Sequence, residues 1–185
     1  MMVHATTVAS EHELHQILDL QKQNLKQFLG ETEKQEQGFV TMSFTIPMLK
    51  ALHEMAPSVI VKNDRNELLA YAIVFLQEGR AFYPEMEPIF RNFERVNWKE
   101  KIFSSYNYYI MGQICVAKEA RGTGAFDMLY QKHKELYQQK YDCVVTEIAT
   151  SNHRSLNAHK RVGFQTLSTH TDEYDEWNVV VWDWS

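Results

Sequence analysis

Residues 121–124 read Arg-Gly-Thr-Gly, between the apolar run QICVA and the helix-like stretch GAFDMLYQKHKELYQQK. A turn needs one glycine. Two of them, two apart, with a basic residue before and a helix after, suit a backbone shaped to hold an anion. Successive N–H groups at such a turn can converge on one point, and the helix adds about half a positive charge at its N-terminus. Glycine removes the Cβ that would keep a phosphate away. The stretch lacks the Gly-Lys-Ser/Thr end of a P-loop, and Asp127 stands where a dinucleotide fingerprint wants a third glycine. Taken alone, it reads equally well as a plain strand-to-helix turn. A second chemical candidate is Glu147, the lone acid in CVVTEIAT. Burying a carboxylate there is costly without a partner or a purpose, and burial would raise its pKa toward that of a base working near neutral pH. A salt bridge or an exposed place on an alternating strand are the plain alternatives.

The elements that must position these residues follow from pattern. VHATTVAS (3–10) reads as a strand, and Ser10 with Glu13 forms a capping box that opens a helix. Leu14, Ile17, Leu18, Leu25 and Phe28 keep helical spacing up to Gly30. GETEKQEQG (30–38) reads as a polar loop, and IPMLKALHEM (46–55) as a helix with Pro47 in its first turn. SVIVKND and ELLAYAIVFL form a hairpin about Arg65-Asn66. Residues 78–105 are irregular, with room for short helices, and Phe82, Tyr83, Phe90, Phe93 and Trp98 divide between core and a wall for a ligand. A strand over about 105–117, a helix over 124–140, a strand over 141–150 and a short helix over 155–162 follow; FQTLSTHT and EWNVVVWDW close the chain as a hairpin. The order gives one α/β (α+β) domain spanning 1–185 with a mixed sheet.

Bulk properties narrow the class. The chain has 185 residues, 44% hydrophobic and 23% charged, enough for one domain with a sizeable core. A net charge of -5 disfavours a nucleic-acid binder. With no long apolar span and no apolar leader, the expectation is a cytoplasmic protein with no membrane partner. Cys115 and Cys143 lie in apolar runs and read as buried free thiols. His12 and His15 lack partner ligands, so no metal site is expected, and His4, His153 and His170 read as surface residues.

A second motif settles the glycine turn. The pattern V-x-x-x-x-R-G-x-G at 116–124 and N-x-x-S-x-x-x-H-x-x-x-G-F at 152–164, one helix and one strand apart, resembles the GNAT superfamily of N-acetyltransferases, most of all its small bacterial members. The resemblance is specific over about 108–164 and fits the element order of the whole chain. It implies a mostly antiparallel sheet of about seven strands whose fourth and fifth splay apart around acetyl-CoA. The pantetheine arm would pair with Ile114, Cys115 and Val116. The pyrophosphate would sit on Gly122, Thr123, Gly124 and Ala125 with Arg121 nearby, and Asn152 would reach the arm.

The same resemblance suggests catalytic roles and shows departures. Phe126 stands where a small residue ends the usual turn motif, so its ring should enter the core or crowd the cofactor. His159 stands where a Tyr often acts as general acid on the thiolate; a His can donate a proton near neutral pH, or simply pack beside the cofactor. The fourth strand lacks the carboxylate some members use, but Glu147 occupies the fifth-strand place used by ribosomal-protein N-terminal acetyltransferases. Gln113 could orient a water or the acetyl carbonyl. The implied reaction is direct acetyl transfer to a primary amine, on a small amine, amino acid or peptide N-terminus, without an acyl-Cys115 intermediate. Glu85, Glu87 and Glu94 could favour a cationic acceptor. The alternative is an inactive CoA-binding sensor or regulatory module. EWNVVVWDW could pair across a homodimer or close the sheet.

Overall fold

The computed structural model describes residues 2–185, the side chain of Glu85 lying outside that description. Seven strands form one sheet: β1 (Val3–Thr7), β2 (Val59–Asn63), β3 (Leu68–Phe75), β4 (Tyr108–Val116), β5 (Cys143–Ala149), β6 (Gln165–Thr171) and β7 (Glu176–Asp183). Their order across the sheet is β1-β2-β3-β4-β5-β7-β6. Every neighbouring pair is antiparallel except β4 and β5, which run parallel. The two-residue strands Asn97–Trp98 and Lys101–Ile102 make a separate small sheet. Six α-helices accompany the sheet: α1 (Glu11–Asn24), α2 (Glu31–Gln37), α3 (Ile46–Met55), α4 (Glu87–Glu94), α5 (Ala125–Tyr137) and α6 (His153–Val162).

The central strands are apolar along their length because both faces are covered. Leu14, Ile17, Leu49, Phe90 and Phe93, from α1, α3 and α4, join Tyr71, Phe75 and Tyr108 in one core layer. Leu129 and Tyr130 of α5, with Phe164 after α6, join Ala72, Val74, Tyr109 and Val144 in the other. The expected capping box is present: Glu13 N–H donates to Ser10 Oγ at 3.4 Å and Ser10 N–H to Glu13 Oε2 at 3.1 Å. Phe90 and Phe93 are fully buried core, whereas Phe82 is exposed.

Four expectations are corrected. The first helix stops at Asn24, because Leu25 turns extended and bridges to Val40. The stretch 30–38 is not a loop but holds α2, a helix with no buried residue and therefore no apolar stripe to betray it. The β2–β3 turn spans residues 64–67, with Asn66 at φ 61° and a register shift at Val61/Lys62. The last strand, β7, lies between β5 and β6, so it is interior to the sheet and has no free edge for a second copy; the edge strand is β6.

The feature that shapes the site is where β4 and β5 part. They pair only at Tyr108–Cys143, Tyr109–Val144 and Ile110–Val145. At the fork, Thr146 Oγ1 donates to the carbonyl of Met111 at 2.9 Å. From there to Val116, β4 keeps β3 on one edge and has no strand on the other. This is the expected splay of the fourth and fifth strands.

Replacing Ser10 by Ala removes the cap that starts α1. The expected cost is about 1 kcal/mol, read as a lower urea midpoint at unchanged m-value.

Candidate active site

The glycine turn opens onto a cleft of about 870 Å³ that runs from Ile114–Val116 past residues 121–127 to the start of α6. Gly122 and Gly124 have φ of 77° and 88°, and a Cβ built on either would meet nothing within 4 Å. The space above the turn is thus open, and the backbone there is one that L side chains rarely adopt. Gly124 caps the N-terminus of the 13-residue α5 with no side-chain cap. Among the described residues, no protein acceptor takes the N–H groups of Gly122, Gly124, Ala125 or Phe126. The N–H of Thr123 differs from expectation: it is turned to Ala120 O at 3.3 Å, with Thr123 Oγ1 on the same oxygen at 2.6 Å. The Phe126 ring leaves the turn sideways and packs on Tyr130 and His159, at centroid distances of 5.1 and 5.2 Å.

Arg121 is anchored rather than free. Its guanidinium donates to Gln37 Oε1 at 2.7 Å, Asn24 Oδ1 at 2.8 Å and Val116 O at 3.3 Å. Asn152 accepts from Ser155 N–H at 3.3 Å, capping α6, and donates to Phe39 O at 3.0 Å. Arg154 donates to Glu36 O at 3.3 Å. A strap of residues 36–42, not visible in the sequence, therefore crosses the mouth of the V, tied down by residues from both of its sides.

Ile114, Cys115 and Val116 line the cleft beside the free edge of β4. The Cys115 thiol is buried and its pKa is pushed up to about 12 by burial, so it is a poor nucleophile at neutral pH. Cys143 is likewise a buried free thiol.

Deeper in the V lies a smaller cavity of about 70 Å³, lined by Gln113, Glu147 and His159 together with Met42, Thr146 and Trp177. The structure thus brings the three catalytic candidates to one place. Gln113 is held at both ends: Tyr71 Oη donates to its Oε1 and its Nε2 donates to Met42 O, each at 2.7 Å. Glu147 is nearly buried, and burial raises its pKa against the opposing pull of His170 and Asn92. Its Oε1 lies 3.0 Å from His170 Nε2 and 3.2 Å from Asn92 Nδ2. His170 is therefore not the surface residue expected from sequence.

For His159, read either as a proton donor or as a packing residue, a hydrogen bond fixes the tautomer. Its Nδ1 is 2.8 Å from the carbonyl of Ser155, which only accepts, so Nδ1 carries the proton. Its Nε2 is buried with no partner, and burial pushes the ring pKa down to about 4. At neutral pH the imidazole is a neutral acceptor, packed edge-on against Phe126, Tyr130 and Phe164.

The acids of 85–94 also read differently. Arg80 binds Glu87 at 2.8 Å and Glu94 at 2.6 Å, and Tyr108 Oη donates to Glu94 at 2.7 Å. These two acids are neutralised within the fold, and the Glu85 side chain lies outside the described residues. Asn92, His170 and the strap had no sequence signal. Asn92 carries no periodic mark on α4, and β6, QTLSTHT, shows no alternation that would turn His170 inward.

Two outcomes follow. Gly124→Ala is expected to cost about 1–2 kcal/mol of stability through its left-handed backbone alone, measured by urea unfolding. The folded pKa of His159 is depressed from 6.5 to about 4, so its contribution is present above 6.5 and is lost as pH falls toward the folded value. His159→Phe, a shape its aromatic neighbours accept, should flatten the acid side of the stability curve between those limits in denaturant titrations.

A family model for the acetyltransferase (GNAT) family matches residues 12–164. No curated protein matches the chain. Among solved structures, the ribosomal-protein-S18-alanine N-acetyltransferase of Escherichia coli superposes with a TM-score of 0.65 at 10% identity, over 100% of this chain and 95% of that one. A GNAT-family acetyltransferase of Streptococcus agalactiae gives 0.67 at 13% identity, over 98% and 95%. The NatC complex bound to Gag peptide and CoA gives 0.64 at 12% identity, over 99% of each chain. At these identities the structures attest the fold; the family match, over most of the chain and with the open glycine turn inside it, carries the assignment. The chain belongs to the acetyltransferase (GNAT) family, acyl-CoA N-acyltransferases that draw their acyl group from a coenzyme A thioester.

Proposed function

We propose that the protein is an acetyl-CoA-dependent N-acetyltransferase that moves the acetyl group directly to a primary amine, on a small amine, an amino acid or a peptide N-terminus. One observation carries this reading: the parted β4–β5 edge joins an open glycine cradle at one end to a buried carboxylate at the other. The neighbour solved with a peptide and CoA supports it by fold. Gly122, Gly124, Ala125 and Phe126 would offer N–H groups to the pyrophosphate, with Thr123 and Arg121 shaping the turn. The free edge at Ile114, Cys115 and Val116 would run along the pantetheine arm, with Asn152 on its far side. Bound acetyl-CoA supplies the activated acetyl carbon.

Glu147 would act as base, taking the proton that keeps an ammonium from attacking. It must be ionised to do so. Because burial raises its pKa, activity should climb as pH rises through that raised value and fail below it. Gln113, held by Tyr71 and Met42, would fix the acetyl carbonyl or a water. His159 packs and, through Nε2, accepts. That geometry also favours a second reading, a CoA-binding sensor without turnover, since the thiolate lacks its expected acid.

Thermal unfolding with excess acetyl-CoA tests the seat: ligand at about 100 times its dissociation constant should stabilise the fold by about 2.7 kcal/mol, and Gly124→Ala should abolish the gain. CoA release measured with a panel of free amino acids, small amines and N-terminally free peptides tests the chemistry. Glu147→Gln is expected to lower it about 10²–10⁴-fold while the thermal gain persists. Stabilisation without release by any acceptor would favour the sensor.

A further inference from the structure

Glu147 does not stand alone. Asn92 on α4 and His170 on β6 meet its carboxylate to form a three-membered cluster. Asn92 Nδ2 is 3.2 Å from Glu147 Oε1 and 3.1 Å from His170 Nε2, and the last two atoms are 3.0 Å apart. An amide NH₂ has two protons to give. Asn92 donates to the carboxylate, and when the ring carries its own proton on Nδ1 the lone pair of Nε2 is free to point at Glu147. Two acceptors sit within hydrogen-bond reach of each other with nothing between them. That is a seat for one proton.

We propose that His170, fixed by Asn92, is a positioning residue that sets the charge of Glu147 and takes over the proton the carboxylate collects. This rests on the reading of Glu147 as the base. The steps balance. The acceptor ammonium gives a proton to the carboxylate, which then passes it from Oε1 to His170 Nε2. The imidazolium releases a proton to water, and the ionised carboxylate and neutral ring are restored. The His170 side chain is 20% exposed against 10% for Glu147, so the ring is the member of the pair that meets solvent.

The other groups around the pair do not compete for this role. Asp172, just past β6, lies close enough to interact with both, and its charge favours the protonated form of Glu147. Across the cavity stand neutral Gln113 and His159. On α4, Glu87 and Arg91 pair with each other, and Glu94 is held by Arg80 and Tyr108.

The test is NMR titration of the full chain, following the Glu147 side-chain carboxyl and the His170 ring nitrogens in the wild type, His170→Gln and Asn92→Ala. In the wild type the two groups should titrate as one unit in two shared steps. In His170→Gln, the carboxylate loses the partner that takes its proton, and Glu147 protonation should move up by about one pH unit. The acid limb of amine-dependent CoA release should move up with it. In Asn92→Ala, which removes a donor from the carboxylate, Glu147 protonation should likewise move up. An identical Glu147 titration in wild type and His170→Gln would overturn the proposal. So would an equal loss of CoA release at every pH, the mark of a merely structural role. Coupled titration combined with normal CoA release by Glu147→Gln would instead overturn the reading of Glu147 as the base.

Discussion

The parting of β4 and β5 after three residue pairs is the constraint on which the rest of this structure depends. A parallel pair normally continues until one strand ends, because each unpaired backbone group forfeits a hydrogen bond. Here the loss is contained by side chains. Thr146 takes the carbonyl of Met111 at the fork, and Arg121 takes that of Val116 at the far end. Between them a length of β4 is left with one bare edge, which is what an extended ligand needs in order to lie down as a further strand. The remainder of the V is held in shape by the strap 36–42, and through it by α1 and α2.

Burial inside the V acts on Glu147 and His159 in opposite directions. A low-dielectric site disfavours whichever form is charged. For Glu147 that raises the pKa, and for His159 it lowers it to about 4, so the ring is neutral at pH 7. The two residues border one cavity, yet they differ in what contacts them. Glu147 faces polar partners, the amide of Asn92 and the ring nitrogen of His170, which oppose the effect of burial. His159 faces three aromatic rings and a carbonyl that fixes its tautomer.

Much of this was legible because the signals are local. Ser10 with Glu13 and Pro47 early in α3 each declare a backbone geometry within a few residues and are found as read, and the glycines of 121–124 take the positive φ that only glycine adopts freely. The central strands are apolar because they are covered twice, which also reads directly. What was hidden depends on partners far along the chain. Leu25 leaves the helix to meet Val40, and α2 has no buried face to set a period. Asn92 and His170 reach Glu147 from 55 and 23 residues away. A polar side chain on a polar strand gives no hint of which way it turns.

The strap shows why the site residues are hard to separate into binding and structural ones. Arg121 holds Gln37, Asn152 holds Phe39 and Gln113 holds Met42. Each is a residue with a place at the ligand in the proposed function, and each already spends a donor on the same seven-residue segment. A substitution at any of them would loosen the strap as well as remove a ligand contact, so loss of binding in such a variant does not by itself identify a direct contact. The glycines are free of this ambiguity. Gly122 and Gly124 carry no side chain, touch nothing above the turn, and act only through the backbone they permit. The cleanest evidence for the ligand's seat therefore comes from the residues with the least chemistry of their own.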